Sequence, residues 1–177
     1  MSATTARTPT GFSTLNPILI THDAAGLLAF LREVFGGHEN DDVRTVDMDG
    51  LLLHSELEIG GTTLTIADRK PGWPYLPQLN QIYVGDVESV LDRAVERGAR
   101  VVTEPTDFFG TVFSRMLDPW GNLWWVYRHG EAPELDWEAD EGKADAGEWT
   151  DPDLAYIHRT LVEEMPSMGN EPVRAGG

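Results

Sequence analysis

The order of predicted secondary-structure elements occurs twice along the chain, and this repeat restricts the possible folds more than any other feature. Each half starts with a strand, continues with a helix capped by an aspartate, and ends with three strands. Asp23 and Asp86 occupy the equivalent capping positions. A strand-helix-strand-strand-strand order found twice indicates an internal duplication. The sequence therefore predicts an α+β fold built from two βαβββ modules.

Hydrophobic spacing and turn residues set the limits of the predicted elements. Leu27, Leu28 and Leu31 recur at helical spacing, and two glycines follow Phe35. Tight turns at Asp49-Gly50 and Gly60-Gly61 separate strands of the first half. The predicted strands are 14–20, 43–48, 51–59 and 62–67 in the first half, and 80–84, 100–103, 112–117 and 123–128 in the second. The predicted helices begin after the capping aspartates and end before the glycines at 36 and 98.

The two ends of the chain differ in composition from its body. Residues 1–11 are small, polar and interrupted by proline, which predicts a disordered lead-in. Residues 131–177 contain 13 acidic and 3 basic residues. We expect an acidic C-terminal extension over 130–177, with a helix at about 151–165 where Pro152 stands in the first turn. A solvated tail is one interpretation of this extension, and a docking segment for a basic partner is the other.

Charge and composition exclude several classes of function. The formal net charge of the 177 residues is −17, so the clustered lysine and arginine that nucleic acids require are missing. No apolar run is long enough to span a membrane, and no signal peptide is recognisable, so we expect a cytoplasmic protein without membrane or nucleic-acid partners. The absence of cysteine excludes thiolate nucleophiles and cysteine-bound zinc.

Three stretches resemble the vicinal-oxygen-chelate superfamily of glyoxalases, bleomycin-resistance proteins and extradiol dioxygenases, in its small single-domain glyoxalase-like branch. They are NPILITHDAAGLLAFLREVFGG, DGLLLHSELEIGGTTLTIAD, and QIYVGDVESVLDRAVERGARVV with the later MLDPWGNLWWVYRH. The resemblance implies a curved mixed sheet around a cleft, with the helices outside, over residues 12–129. It places module 1 at about 12–70 and module 2 at about 79–129, and it implies a homodimer.

The resemblance also indicates where a metal ion is held in relatives that use one. Their ligands, commonly histidine, glutamine and glutamate, lie on the first and last strands of each module. The corresponding positions here are Asn16 and Gln81 on first strands, and Thr65 and Trp125 on last strands. A lone amide oxygen does not hold a divalent ion against water, and an indole cannot replace a carboxylate. We therefore expect neither a metal nor another cofactor, and we expect all four residues to contact a small-molecule ligand.

Aromatic residues are abundant near the predicted cleft. Trp73 and Tyr75 lie in the loop between the modules, and Phe108 and Phe109 precede a glycine. Loops do not need large apolar side chains for a core, so we expect these four residues to touch a ligand. Arg115 is also a candidate ligand contact. Because the chain is rich in carboxylates, we expect one of them to pair with Arg115; an anion-binding role is the alternative, weakened by valine at 112, where the resemblance leads us to expect arginine.

One strand carries a possible acid/base pair. In strand 51–59, alternation places Leu51, Leu53, Leu57 and Ile59 on one face and His54, Glu56 and Glu58 on the other. With the leucines under the helices, His54 and Glu56 face the cleft. A histidine and a carboxylate two residues apart on one strand can transfer protons, although they can equally satisfy each other on an ordinary polar face.

These observations lead to a main hypothesis and several alternatives. The main hypothesis is a metal-independent protein that sequesters an apolar or aromatic compound in its cleft, as in antibiotic or metabolite resistance. The first alternative is a metal-free lyase, isomerase or cyclase of specialised metabolism that uses His54 and Glu56. The second alternative is a metal-dependent glyoxalase-like enzyme with atypical ligands. The third is an interaction module that binds a partner through the acidic tail.

Overall fold

The computed structural model of the chain describes residues 8–108, 110–130 and 151–172. The predictions for residues 1–7, for Phe109 and for the acidic segment 131–150 lie outside this part. The chain divides into two compact units, Met1–Leu76 and Pro77–Gly177. Among the described helices, none has the length and apolar character needed to cross a lipid bilayer.

The first unit contains a mixed sheet and one long helix. Its elements are β1 (Ile18–Thr21), α1 (Ala24–Phe35), β2 (His38–Glu39), β3 (Thr45–Val46), β4 (Leu52–Ile59) and β5 (Thr62–Asp68). The sheet order is β1-β5-β4-β2, and β3 pairs with β4. The first strand runs parallel to β5, whereas the other pairs are antiparallel. Helix α1 buries its apolar face, including Leu27, Leu28 and Leu31.

The second unit repeats this topology. Its elements are β6 (Leu79–Tyr83), α2 (Val87–Glu96), β7 (Arg100–Phe108), β8 (Thr111–Leu117), β9 (Leu123–Arg128) and α3 (Pro152–Glu164). The sheet order is β6-β9-β8-β7, again with the first and last strands parallel. Asp23 and Asp86 both cap helices, because their side chains accept hydrogen bonds from the backbone N–H groups of Gly26 and Ser89 at 3.1 and 3.0 Å. Two mixed sheets with few helices confirm the predicted α+β class.

The first strand is shorter than predicted. β1 begins at Ile18, whereas the prediction began at residue 14. Pro17 has no backbone N–H to donate to a neighbouring strand. Before it, the Asn16 side chain accepts a hydrogen bond from the Ser13 backbone N–H at 2.9 Å and donates one to the Ser13 carbonyl at 2.6 Å. This local turn replaces the predicted strand pairing.

The stretch between α1 and β4 was predicted as one strand over 43–48 and is different in the structure. Residues Asp41–Val43 form a 3₁₀ turn, and only Thr45–Val46 pair with β4, with a register shift between them. The short strand His38–Glu39, which the sequence pattern did not indicate, pairs with Glu58 and Leu57. Two-residue strands contain too few positions for alternation to be recognised.

Strand β7 is longer than predicted, since it continues from Arg100 to Phe108 through Pro105. The prediction ended at Thr103, but β7 is an edge strand of its sheet, where the missing N–H of Pro105 is tolerated. The register with β8 shifts between Thr103 and Thr106, so the strand accommodates Pro105 at an irregularity.

The predicted alternation in β4 is correct in its period and wrong in the extent of burial. Ser55 and Leu57 are fully buried, but Leu53 on the same side is 49% exposed. Leu52, on the side of His54 and Glu56, is buried instead. The buried part of the leucine face therefore begins at Ser55. At the start of the strand, the buried apolar residue is Leu52, which lies on the opposite face.

A buried aspartate organises the turn between β8 and β9. Asp118 accepts hydrogen bonds from the backbone N–H groups of Trp120 and Asn122, from the Asn122 amide and from the Trp124 indole, each at 2.9 Å. Burial raises the pKa of Asp118 above its ordinary value, and these four donors oppose that rise. The DPWGN stretch is thus a structural turn that holds β8 and β9 together.

We predict that Asp118→Ala destabilises the second unit strongly. Four buried donors lose their acceptor, which costs about 3 kcal/mol of unfolding free energy or more. Urea unfolding followed by circular dichroism measures the loss. The matched control is Asp92→Ala on the exposed side of α2, which should change the unfolding free energy by less than about 0.5 kcal/mol. Equal effects of the two variants would contradict the assignment.

Candidate functional site

The parallel pairing of first and last strands identifies which residues occupy the positions that relatives use for a metal. In the first unit Ile18 pairs with Thr65, and in the second unit Gln81 pairs with Trp125. The position equivalent to Gln81 is therefore Ile18, and Asn16 lies two residues earlier in the Ser13 turn. Asn16 is thus placed before the first strand rather than on it.

The donors at these positions do not fit a divalent ion. Ile18 has no donor atom, Trp125 offers only an N–H, and Thr65 and Gln81 are neutral. Hard cations prefer carboxylate oxygens, and zinc prefers imidazole or thiolate. Among the described residues, no group of three or more histidine, aspartate or glutamate side chains is arranged to hold a metal ion. At these four positions, an ion would therefore have only neutral donors.

The second unit presents a partly open aromatic surface on one face of its sheet. It comprises Gln81, Tyr83, Trp125 and Tyr127, which we call the aromatic face. Alternation along β6 and β9 directs these side chains to the same side. Tyr83 is 61% exposed, and its ring stacks on that of Tyr127 with centroids 5.4 Å apart. Gln81 donates a hydrogen bond to the Tyr83 hydroxyl at 2.7 Å.

The other half of the same sheet face is covered by helix α3. Arg100 forms two hydrogen bonds with Glu164 at 2.8 and 2.9 Å, and the hydroxyl groups of Thr103 and Thr160 lie 2.7 Å apart. The Tyr156 hydroxyl accepts a hydrogen bond from the Glu104 backbone N–H at 2.9 Å. Helix α3 therefore packs within its own unit, and polar contacts fix its position on β7.

Arg115 lies at the boundary between the covered and open halves. It pairs with Trp125 on one side and with Thr103 on the other, so Gln81, Trp125, Arg115 and Thr103 form one row across the sheet. The guanidinium carbon is 4.5 Å from the centre of the Phe113 ring and 5.3 Å from that of the Trp125 ring. Both distances are within the range of cation–π attraction.

Among the described residues, no carboxylate pairs with Arg115. None of the ion pairs formed within residues 8–108, 110–130 and 151–172 includes this residue. Its Nη1 donates to the Ile157 carbonyl at 2.7 Å and to the Thr103 hydroxyl at 3.2 Å. Burial lowers the pKa of Arg115 to about 10, so the side chain is still charged at neutral pH. The described acceptors are neutral, and pairing with one of the other carboxylates of the chain stays a prediction.

His54 and Glu56 lie close together in the first unit. The His54 Nε2 is 3.2 Å from Glu56 Oε1, and the Asn40 amide donates to Glu56 Oε2 at 3.3 Å. The pair lies on the face of β4 opposite Ser55, whose hydroxyl donates to the buried Glu39 at 2.8 Å. The geometry permits proton exchange between His54 and Glu56, and it also satisfies both groups as a structural contact.

A cavity of about 440 Å³ lies in the first unit beside this pair. Carboxylates dominate its lining, which includes Glu39, Asp41, Asp42, Glu56 and Glu58. Such a lining favours water and cations over an apolar compound. The aromatic face of the second unit therefore fits the expected ligand better than this cavity does.

The predicted loop aromatics are placed in different surroundings. Trp73 is 49% exposed in the loop of the first unit, and Tyr75 lies under the Arg69 guanidinium at 6.0 Å. Phe108 is the last residue of β7, and the placement of its side chain lies outside the described part of the chain, as does Phe109. Tyr83 was missed as a site residue; its alternation with Gln81 could have indicated it.

Comparison with known families gives one broad match. The model of the family described as Glyoxalase/Bleomycin resistance protein/Dioxygenase superfamily matches residues 14–126. The uncharacterized protein Rv0887c of Mycobacterium tuberculosis is 31% identical over 125 residues, which cover 62% of this chain and 71% of that protein.

Two bacterial proteins illustrate the similarity of this chain to solved structures. Protein PA1353 from Pseudomonas aeruginosa is 20% identical, with a TM-score of 0.54 over 65% of this chain and 96% of its own. The fosfomycin resistance protein FosX from Listeria monocytogenes is 17% identical, with a TM-score of 0.53 over 67% of this chain and 94% of its own. At these identities the similarity concerns the fold alone.

We predict that the purified full chain binds no divalent ion stoichiometrically, because the four positions offer neutral or no donors. Calorimetric titration with zinc chloride and manganese chloride, together with elemental analysis of the untreated protein, tests this. The expected result is no saturable heat and less than about one tenth of an equivalent of metal. One tightly held ion per chain would contradict the donor argument.

Proposed function

Because the chain belongs to the glyoxalase/bleomycin resistance protein/dioxygenase superfamily, we propose that it binds an aromatic or apolar small molecule without a metal ion, on the aromatic face of its second unit. The observation that carries the proposal is the Trp125 indole, which is paired with Gln81 beside the stacked rings of the exposed Tyr83 and the half-buried Tyr127. In this role the protein holds the compound away from its target, which is a sequestering form of resistance.

Physical chemistry supports an aromatic ligand at this face. Trp125 and Tyr127 are half-buried and Tyr83 is exposed, so a flat ligand gains contact area without displacing core residues. Each aromatic pair contributes about 0.5–1.5 kcal/mol beyond the area that it buries. The Gln81 amide adds a polar group that can orient the ligand.

The solved structures with this fold support a role in resistance only through the name of one of them. One of them is named a fosfomycin resistance protein, but its identity to this chain is 17%. The compound bound here is therefore proposed from the side chains of this protein. We also propose a homodimer, as the family resemblance implies, and light scattering of the purified protein measures it.

A second candidate function rests on the contact between His54 and Glu56. The 3.2 Å distance between the imidazole and the carboxylate allows a metal-free lyase or isomerase to move a proton there. If such a reaction exists, His54→Ala should lower turnover about a hundredfold or more. The same variant should leave most of the ligand affinity of the aromatic face intact, because Gln81, Tyr83, Trp125 and Tyr127 form that face.

We predict that the full chain binds the neutral fused-ring compound 2-naphthamide and that Trp125→Ala weakens this binding about tenfold, because one stacking surface and its buried area are lost. Calorimetry or quenching of the naphthalene fluorescence measures the affinity. The control is Val95→Ala, which removes a half-exposed apolar side chain from helix α2 of the same unit and should leave the affinity within about twofold.

Two results would contradict this proposal. The first is the absence of binding to 2-naphthamide and to a panel of other two-ring and three-ring aromatic compounds. The second is an equal loss of affinity in Trp125→Ala and Val95→Ala, which would place the bound compound elsewhere or show it to be nonspecific.

A further inference from the structure

The proposed function leaves the burial of Arg115 unexplained. This side chain is 4% exposed, yet it carries a full positive charge at neutral pH. Its near neighbours are two aromatic rings, two threonine hydroxyls and one helix carbonyl. Buried cations in folded proteins are normally paired with an anion, because desolvation of the charge is costly.

The hydrogen bonds of Arg115 use only one end of its guanidinium group. Every bond that it donates to a described residue starts from Nη1, and it goes to the Thr103 hydroxyl, the Ile157 carbonyl or the Thr160 hydroxyl. The Nε–H group is buried and has no acceptor within the described part of the chain. Nε and Nη2 form one edge of the guanidinium group. Arginine can bind a carboxylate along such an edge through two parallel hydrogen bonds.

The neutral contacts account for part of the arrangement. The Nη1 bonds to Ile157 and Thr160 hold helix α3 against the sheet, which is a structural role. The rings of Phe113 and Trp125 offset some of the desolvation cost through cation–π attraction. Neither the hydrogen bonds to α3 nor the cation–π contacts use the Nε edge. A lysine or a neutral donor could hold the helix equally well. The unused edge therefore requires a separate explanation.

The position of Arg115 connects this edge to the aromatic face. Arg115 and Trp125 are directly paired across β8 and β9, with the guanidinium carbon 5.3 Å from the indole centre. A ring stacked on Trp125 and Tyr127 thus lies one strand away from the guanidinium. An acidic substituent on that ring can extend across this distance towards the Nε edge.

We propose that Arg115 recognises an acidic group on the ligand, so that the compound bound at the aromatic face is an aromatic carboxylic acid or a similar planar oxyanion. This inference rests on the proposed function, since it names the class of compound held there. The negative charge of the chain as a whole does not oppose it, because the described carboxylates form no ion pair with Arg115 and local contacts dominate at short range.

The test compares two probes of nearly the same shape, 2-naphthoate with a carboxylate and 2-naphthamide with a neutral amide. The wild-type full chain should bind 2-naphthoate about tenfold or more tightly than 2-naphthamide, because a bidentate bond to a charged group adds to the shared stacking. In Arg115→Met this preference should disappear, because both probes then bind through stacking alone.

Controls separate a lost binding group from a lost fold. Arg128→Gln removes an exposed arginine from the end of β9 and should keep the full preference for 2-naphthoate. Arg115→Lys keeps the charge without the planar fork and should retain only part of that preference. Thermal unfolding of each variant shows whether helix α3 and the sheet still fold together.

A measurement on the wild-type protein avoids the variants altogether. The Arg115 Nε–H signal in a nitrogen-15 NMR spectrum should shift on addition of 2-naphthoate and should move much less with 2-naphthamide. An unshifted Nε–H signal in the presence of bound 2-naphthoate overturns the role of Arg115.

The binding results distinguish the failure of this inference from that of the proposed function. If 2-naphthamide binds through Trp125 but 2-naphthoate binds no better, the aromatic face is a ligand site and the acidic class is wrong. If the preference for 2-naphthoate survives in Arg115→Met, another group recognises the carboxylate and the inference also fails. If neither probe binds, the proposed function itself fails.

Discussion

The parallel pairing of the first and last strands in each unit is the constraint on which the rest of the structure depends. It closes each βαβββ module, because β1 pairs with β5 and β6 pairs with β9 across a helix and two or more intervening strands. The same pairing brings residues far apart in sequence side by side, among them Gln81 and Trp125. This register determines which residues form the aromatic face. It also determines that the paired first-strand and last-strand positions carry no charged metal donor.

The second unit uses its sheet face in two ways. Helix α3 covers the half formed by β7 and β8, where Arg100 and Glu164 form an ion pair. The half formed by β6 and β9 keeps its aromatic side chains accessible. Arg115 stands between the two halves and contacts both of them, through the Ile157 carbonyl on one side and the Trp125 ring on the other. A ligand that reaches Arg115 therefore also affects the contacts of α3.

Sequence patterns predicted most of the elements and only part of the site. Long periodic segments such as α1 and β9 were predicted within a residue of their observed limits, because their apolar spacing and their caps agree. The short strands β2 and β3 and the passage of β7 through Pro105 were not, since pairing with a neighbouring strand decides them. For the site, the sequence placed Gln81 and Trp125 on the first and last strands of the second module, and the structure pairs these two residues. The threonine hydroxyls and the helix carbonyl that accept hydrogen bonds from Arg115 were not predicted.

The sequence by itself determined the duplication, the helix caps and the types of side chain available at the first and last strands, because these depend on local propensity and on the order of residues. Only the tertiary structure decided that Ile18 rather than Asn16 faces Thr65, that Leu53 is exposed, and that α3 packs over Arg115. These outcomes depend on strand register and on contacts between residues more than 40 positions apart, such as that between Arg115 and Ile157. The local sequence around Arg115 does not specify which of many acceptors its buried guanidinium group will bind.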